Sequence, residues 1–134
     1  MRKSFWLGFA AYLIPSFPLG YFWHLTTFAE QYAKLQMYRE HLLIPAGLGS
    51  MLIQAVFYSW AYPKLFNTER NRWLLSAAMC ALVFGVFAWS YTTLPVAAKY
   101  RMTSVGDFVI LESAFTALQF AVVAPLLALA HRRS

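Results

Sequence analysis

Of the five acidic residues in this 134-residue chain, only Glu112 falls inside an apolar run long enough to cross a membrane. An unpaired charge at that position is expensive, so its default reading is functional: a proton or cation carrier, or a ligand group facing the interior of a helix bundle. Glu112 lies five residues past Asp107, about 7.5 Å along a helix axis, shallow enough that the side chain can also snorkel to water as a plain interfacial carboxylate. Gln54 falls near the middle of a second stretch of apolar sequence, and Gln119 near the middle of the run that holds Glu112. An amide left unsatisfied in hydrocarbon costs several kcal/mol, so the two are expected to bond each other or a backbone carbonyl, or else to line a polar path with Tyr58 one turn beyond Gln54. His24 and His41 close the first run and open the second, at the membrane level of Glu112. Two imidazoles and a carboxylate form a donor set suited to a transition metal, although no tight H-x-x-x-H or E-x-x-H spacing supports it.

Other chemistries lack their residues. Cys80 is the single cysteine and reads as a small apolar packing residue. There is no glycine-rich phosphate loop and no haem-attachment motif, so no cofactor is expected. The net charge of +6 comes from basic residues placed at the ends of apolar runs. They suit anionic headgroups, and the lipid bilayer rather than nucleic acid is the expected partner.

The elements that must position these side chains follow from composition. With 60% hydrophobic and only 12% charged residues, the chain falls far below the roughly one-quarter charged content of soluble domains. Apolar runs of spanning length, about 20 residues, occur four times, at 4–25, 42–62, 73–94 and 108–131. The expected fold is all-α: a single polytopic membrane domain over residues 1–134, four transmembrane helices in a bundle. The first run is too long for a cleaved leader and lacks a small-x-small exit, so it reads as a retained helix. Pro15 and Pro18 are expected to kink or open it. Pro45 stands in the first turn of the second helix, where proline costs little, followed by the small residues Gly47, Gly49 and Ser50. Ser76, Ala77, Cys80 and Gly85 give the third helix a small face and little chemistry.

Between the first two spans, residues 27–39 are too polar to cross a membrane. Thr27-x-x-Glu30 has capping-box spacing, and Phe28, Tyr32 and Leu35 recur at helical intervals. A short amphipathic helix is expected there, lying on the lipid surface or acting as a lid over the bundle.

Seven basic residues (Arg2, Lys3, Lys64, Arg70, Arg72, Arg132, Arg133) fall on one side of this topology, against four (Lys34, Arg39, Lys99, Arg101) on the other. The excess places both termini in the cytoplasm. A shift of 65 residues aligns Gly20 with Gly85, Lys34 with Lys99 and Gln54 with Gln119, which points to a parallel duplication of a helix pair.

The segments FPLGYFWHLTTFAEQYAKLQMYR, IPAGLGSMLIQAVFYSWAYPKLF and LESAFTALQF resemble a group of small bacterial four-helix integral membrane proteins of unknown function. The resemblance implies a multi-pass protein of the bacterial inner membrane and transfers no catalytic residues. Three functions follow as expectations. The first is a non-enzymatic binding or accessory protein that packs with itself, as a homo-oligomer, or within a larger membrane complex. The second is a small oligomeric transporter or channel using Glu112, and the third a metal-binding protein or lipid-modifying enzyme using His24, His41 and Glu112.

Overall fold

Pro15 and Pro18 do not interrupt the first helix. In the computed structural model, which describes residues 2–36 and 43–133, α1 runs through both prolines from Arg2–Phe22. The irregularity comes a turn later, at Trp23–Thr27, where the chain widens to π-helical pitch and Phe28 N reaches Trp23 O at 3.1 Å, five residues back. Such π turns are uncommon and frequent at functional sites. A short helix α2 (Ala29–Leu35) follows and ends at Gln36, whose φ of 57° turns the chain out of the helix. Then come α3 (Ile44–Leu65), a 3-10 turn (Arg70–Arg72), α4 (Trp73–Thr92), α5 (Leu94–Lys99) and α6 (Val105–His131). No strand occurs among the described residues.

Several boundaries have identifiable local causes. Pro45 sits in the first turn of α3, as expected. The side chain of Ser104 accepts a bond from Asp107 N at 3.2 Å and starts α6 at Val105, three residues before the expected Phe108. The expected capping box does not form: α2 is capped by Phe28 without a side-chain bond, because Thr27 is taken up by the π turn.

Three helical segments are long and apolar enough to cross a membrane, at 3–27, 70–99 and 105–131. The expected span at 42–62 is not one of them. Its helix α3 has 22 residues, but Pro45, Gly47, Gly49, Ser50 and Gln54 dilute the hydropathy of its first half.

The four long helices alternate in direction. α6 packs along both α1 and α4, and α1 along α3, so α1 stands between α3 and most of α6. The backbones of α3 and α4 hardly approach; the space between them is filled by rings, with Tyr58 4.7 Å from Phe84 and Phe66 5.3 Å from Phe84. The core is built of Tyr12, Tyr58, Phe84, Phe120, Val123 and Leu127. Outward faces are apolar instead of polar, as at Ile14, Ile53, Leu82 and Ile110, which is what a lipid solvent asks of a helix exterior. Without a hydrophobic drive between helices in lipid, close contact and hydrogen bonds must hold them. Gly8 provides one such contact: a Cβ there would lie 2.3 Å from Ser59 Oγ and 2.6 Å from His131 Nε2.

One end of the bundle carries the start of α1, the end of α6 and the α3–α4 connection, where Arg133 N donates to Thr68 O at 2.8 Å. The other is capped by the two short helices. α2 buries Tyr32 and Leu35 against Phe108, with Val96, Ala97 and Met102 alongside. Thr103 fastens it from the α5–α6 connection, through its N to Leu35 O at 3.1 Å and its Oγ1 to Lys34 O at 2.6 Å. The segment expected at 27–39 is therefore a seven-residue helix folded over the bundle; residues 37–39 lie outside the described residues.

Candidate functional site

Glu112 is neither at the lipid surface nor alone. Its Oε1 lies 2.7 Å from His24 Nε2 and accepts a hydrogen bond from the Tyr32 hydroxyl at 2.6 Å. The side chains of His24 and Glu112 are 21% and 12% exposed, so the pair is largely withdrawn from solvent. Three elements meet here: the π turn supplies His24, the cap helix supplies Tyr32, and the second turn of α6 supplies Glu112.

Hydrogen-bond roles can be assigned from what each partner is able to do. His24 Nδ1 lies 2.9 Å from the carbonyl of Gly20, and a carbonyl only accepts, so Nδ1 carries a hydrogen. Trp23 Nε1 only donates, and it donates to the Tyr32 oxygen at 3.0 Å, which leaves the Tyr32 hydrogen for Glu112. The remaining contact, Nε2 to Oε1, needs one hydrogen between two atoms that both have lone pairs. Either the imidazolium faces the carboxylate or the neutral imidazole faces the carboxylic acid, and the pair is neutral in both cases. It holds one exchangeable proton.

Below this pair lies a polar cavity of about 150 Å³. Glu112 lines it together with Gln54, Gln119, Tyr12, Tyr91 and Thr92, from all four long helices. A cavity of this size lined by Leu or Phe stays dry, whereas polar walls give waters the partners they need. The two glutamines reach it without touching each other. Tyr12 stands between them, donating to Gln54 Oε1 and accepting from Gln119 Nε2 at 3.3 Å; Gln119 Nε2 also donates to Ser16 Oγ at 3.1 Å. The expected direct pairing of the second and fourth spans fails because α1 lies between them. Tyr58 does not line the cavity: its ring packs on Tyr12, Phe84 and Phe120, and its hydroxyl is 3.3 Å from that of Tyr91, which does.

A second, apolar groove of about 300 Å³ runs between α1 and α3 and reaches His24 from the other side. Gly47, aligned with Glu112 in the 65-residue shift, lines this groove rather than the space beside the carboxylate; nothing lies within 4 Å of where its Cβ would be.

The donor set for a metal is incomplete. His24 and Glu112 come together, but no group of three or more His, Cys, Asp or Glu residues able to hold an ion forms among the described residues. His41, the remaining candidate ligand, lies outside them. At the opposite end, Ser59 and His131 have the composition of a nucleophile–base pair but the wrong polarity. Ser59 Oγ donates its single hydrogen to Phe5 O at 2.6 Å, so the 3.2 Å contact with His131 must be donated by Nε2. A base that donates to its serine cannot activate it, and Ser59 is fully buried.

Comparisons with protein families, with curated proteins and with solved structures find no match for this chain. The residues that sequence reasoning missed are Tyr12, Tyr32 and Tyr91. By spacing, Tyr32 belongs to the apolar stripe of the cap, and its hydroxyl end is what joins the carboxylate.

Proposed function

We propose that this is a four-span, non-enzymatic binding protein of the bacterial inner membrane that takes a small polar ligand from the outer face into the cavity at Glu112. The observation that carries this reading is the cavity itself, a space with polar walls within an apolar chain, reached by Glu112 and both glutamines. α3 serves as the fourth span: its 22 residues rise about 33 Å, and Leu52, Ile53, Val56, Phe57 and Trp60 on its outer face are exposed. The basic residues at the termini and in the 63–72 connection place that end in the cytoplasm, which puts the cap and the cavity mouth outside. The element order, long–short–long in each half, supports a duplication, since the 65-residue shift carries α2 onto α5.

A second reading is transport, in which this is the outward-open state. It is favoured by the α3–α4 seam, where side-chain rings rather than packed backbones close the path below the cavity.

Cysteine labelling from outside tests the binding reading. In intact spheroplasts, Thr92→Cys at the rim and Gln54→Cys inside should react with a charged methanethiosulfonate reagent. Ile53→Cys, which faces lipid at 73% exposure, should not. Reaction at Thr92→Cys with none at Gln54→Cys would overturn the open cavity.

A further inference from the structure

We infer that the ligand of this cavity is a short primary ammonium ion, and that its arrival expels the proton held between His24 and Glu112. The inference rests on the binding reading above and follows from where the cavity's hydrogens already point. Tyr12 gives its hydroxyl hydrogen to Gln54 Oε1. Both hydrogens of the Gln119 amide nitrogen are taken, by Tyr12 and Ser16. Ser50 donates to Gly47 O at 2.8 Å and Thr92 to Ala88 O at 2.8 Å. Four of the lining residues therefore have no donor left for a ligand. What they offer is lone pairs: Gln119 Oε1, the oxygens of Ser50 and Thr92, and the Glu112 carboxyl group. Gln54 Nε2 and the Thr116 hydroxyl are donors that remain, with the Tyr91 hydroxyl as a third when Tyr58 donates to it. A wall of acceptors around one carboxylate selects a guest that is rich in N–H donors and positively charged.

The rest of the lining sets the guest's size and body. Tyr12, Tyr91 and Phe115 place aromatic rings around the space, which suits a cation carrying a short alkyl group. The volume of about 150 Å³ admits ammonium, methylammonium or ethylammonium and excludes bulky quaternary ions.

Charge balance supplies the second half of the inference. The titratable groups facing Glu112 are His24 from the π turn and Tyr32 from the cap, with Tyr12 and Tyr91 across the cavity. Among the described residues, no Lys or Arg lines the cavity or bonds Glu112. The His24–Glu112 pair is neutral with its one proton in place. Adding a monocation would leave a net positive charge in a site withdrawn from water, and releasing the proton restores neutrality. The exchange is balanced: R-NH3+ enters, one H+ leaves the pair, and the site becomes carboxylate, bound ammonium and neutral imidazole. The one hydrogen of that imidazole stays on Nε2 for Glu112, the contact of Nδ1 with Gly20 O being given up. No covalent bond to carbon is made or broken.

Titration calorimetry on the full chain in lipid nanodiscs, run in two buffers of different ionisation enthalpy, gives affinity and proton number together. Ethylammonium chloride should bind with release of about one proton, and neither ethanol, its uncharged analogue, nor tetrabutylammonium should bind. Glu112→Gln should weaken ethylammonium roughly tenfold to a hundredfold, the loss of one charge-assisted bond. Gln119→Met keeps the carboxylate and should weaken it by a smaller factor with the proton still released. Binding of ethylammonium without proton release overturns the exchange. Equal binding of ethanol, or no binding of ethylammonium to a protein that labels at Gln54→Cys, overturns the cationic ligand while the cavity stands. Failure of that labelling removes the reading beneath both.

Discussion

The carbonyl of Gly20 holds Nδ1 of His24 at 2.9 Å, and this contact decides which ring nitrogen meets Glu112. The π turn begins at Trp23, so the wider pitch that admits this contact also carries the imidazole to α6. Asparagine reproduces the position of Nδ1 and glutamine that of Nε2. His24→Asn should keep the Gly20 bond and lose Glu112, costing about 1.5–3 kcal/mol for the charge-assisted contact. His24→Gln should cost less, since its amide reaches the carboxyl. Unfolding in mixed micelles ranks the two, and an equal loss would mean that the contact with Glu112 adds nothing.

Tyr12 is the joint of the polar interior, because two glutamines on different helices depend on one hydroxyl. Tyr12→Phe removes that hydroxyl and leaves the Gln54 carbonyl without its donor, at a cost of about 1–3 kcal/mol. Adding Gln54→Leu takes away the orphaned group and should recover part of the loss. The double variant is thus expected to be more stable than the sum of the two single changes, which a double-mutant cycle reads directly. Additive losses would show that the bridge does not couple the helices.

Glycines separate in the same way. Gly8→Ala forces a methyl group to 2.3 Å from Ser59 Oγ and 2.6 Å from His131 Nε2, where α1, α3 and α6 converge. Overpacking of this kind costs about 1–3 kcal/mol. At Gly85 the same methyl meets Phe120 at 3.6 Å, an ordinary contact, so Gly85→Ala should change stability by less than about 0.5 kcal/mol. A Gly85 variant as damaged as the Gly8 variant would contradict the packing described.

The all-helical architecture was legible because lipid imposes it: apolar runs of spanning length have few other outcomes. The site was legible in its parts and not in its partners. Glu112, Gln54, Gln119 and His24 stand out as polar residues in apolar sequence, but no periodicity within one helix says which other helix it faces. One signal was present in α1. Gly8, Tyr12, Ser16 and Gly20 recur every four residues, are all buried, and lead directly to His24. Small and hydroxyl-bearing residues at that spacing mark the face where neighbours come close, and it is the face that meets Ser59, Gln54, Gln119 and Glu112. The two Pro residues drew attention to the middle of the same helix, while the break in regularity came after it, at a turn with no sequence signature. The seat of the cap is ambiguous in the sequence for a related reason: Tyr32 and Leu35 fit an amphipathic pattern equally well whether the apolar face meets lipid or another helix.

That ambiguity gives the last prediction. If α2 rests on α5 and α6, the two short helices share one small core, and loosening one must loosen the other. Leu35 is 1% exposed there, and truncating a buried leucine to alanine typically costs 2–5 kcal/mol. Among the described residues, Tyr32, Leu35 and Phe108 are the fully buried members of the cap's core. Leu35→Ala should therefore raise amide hydrogen exchange together in residues 29–36 and 94–103, including Thr103 N, whose acceptor is the Leu35 carbonyl. The buried stretch of α6 around Phe120 should stay protected, since its contacts lie with α1 and α4. If α2 instead lay on lipid independently of the bundle, exchange would rise in residues 29–36 alone and α5 would be unchanged. The cap also holds Tyr32 over Glu112, so the same variant should leave the carboxylate with His24 as its single remaining partner and make the cavity mouth more reactive to cysteine reagents at Thr92→Cys.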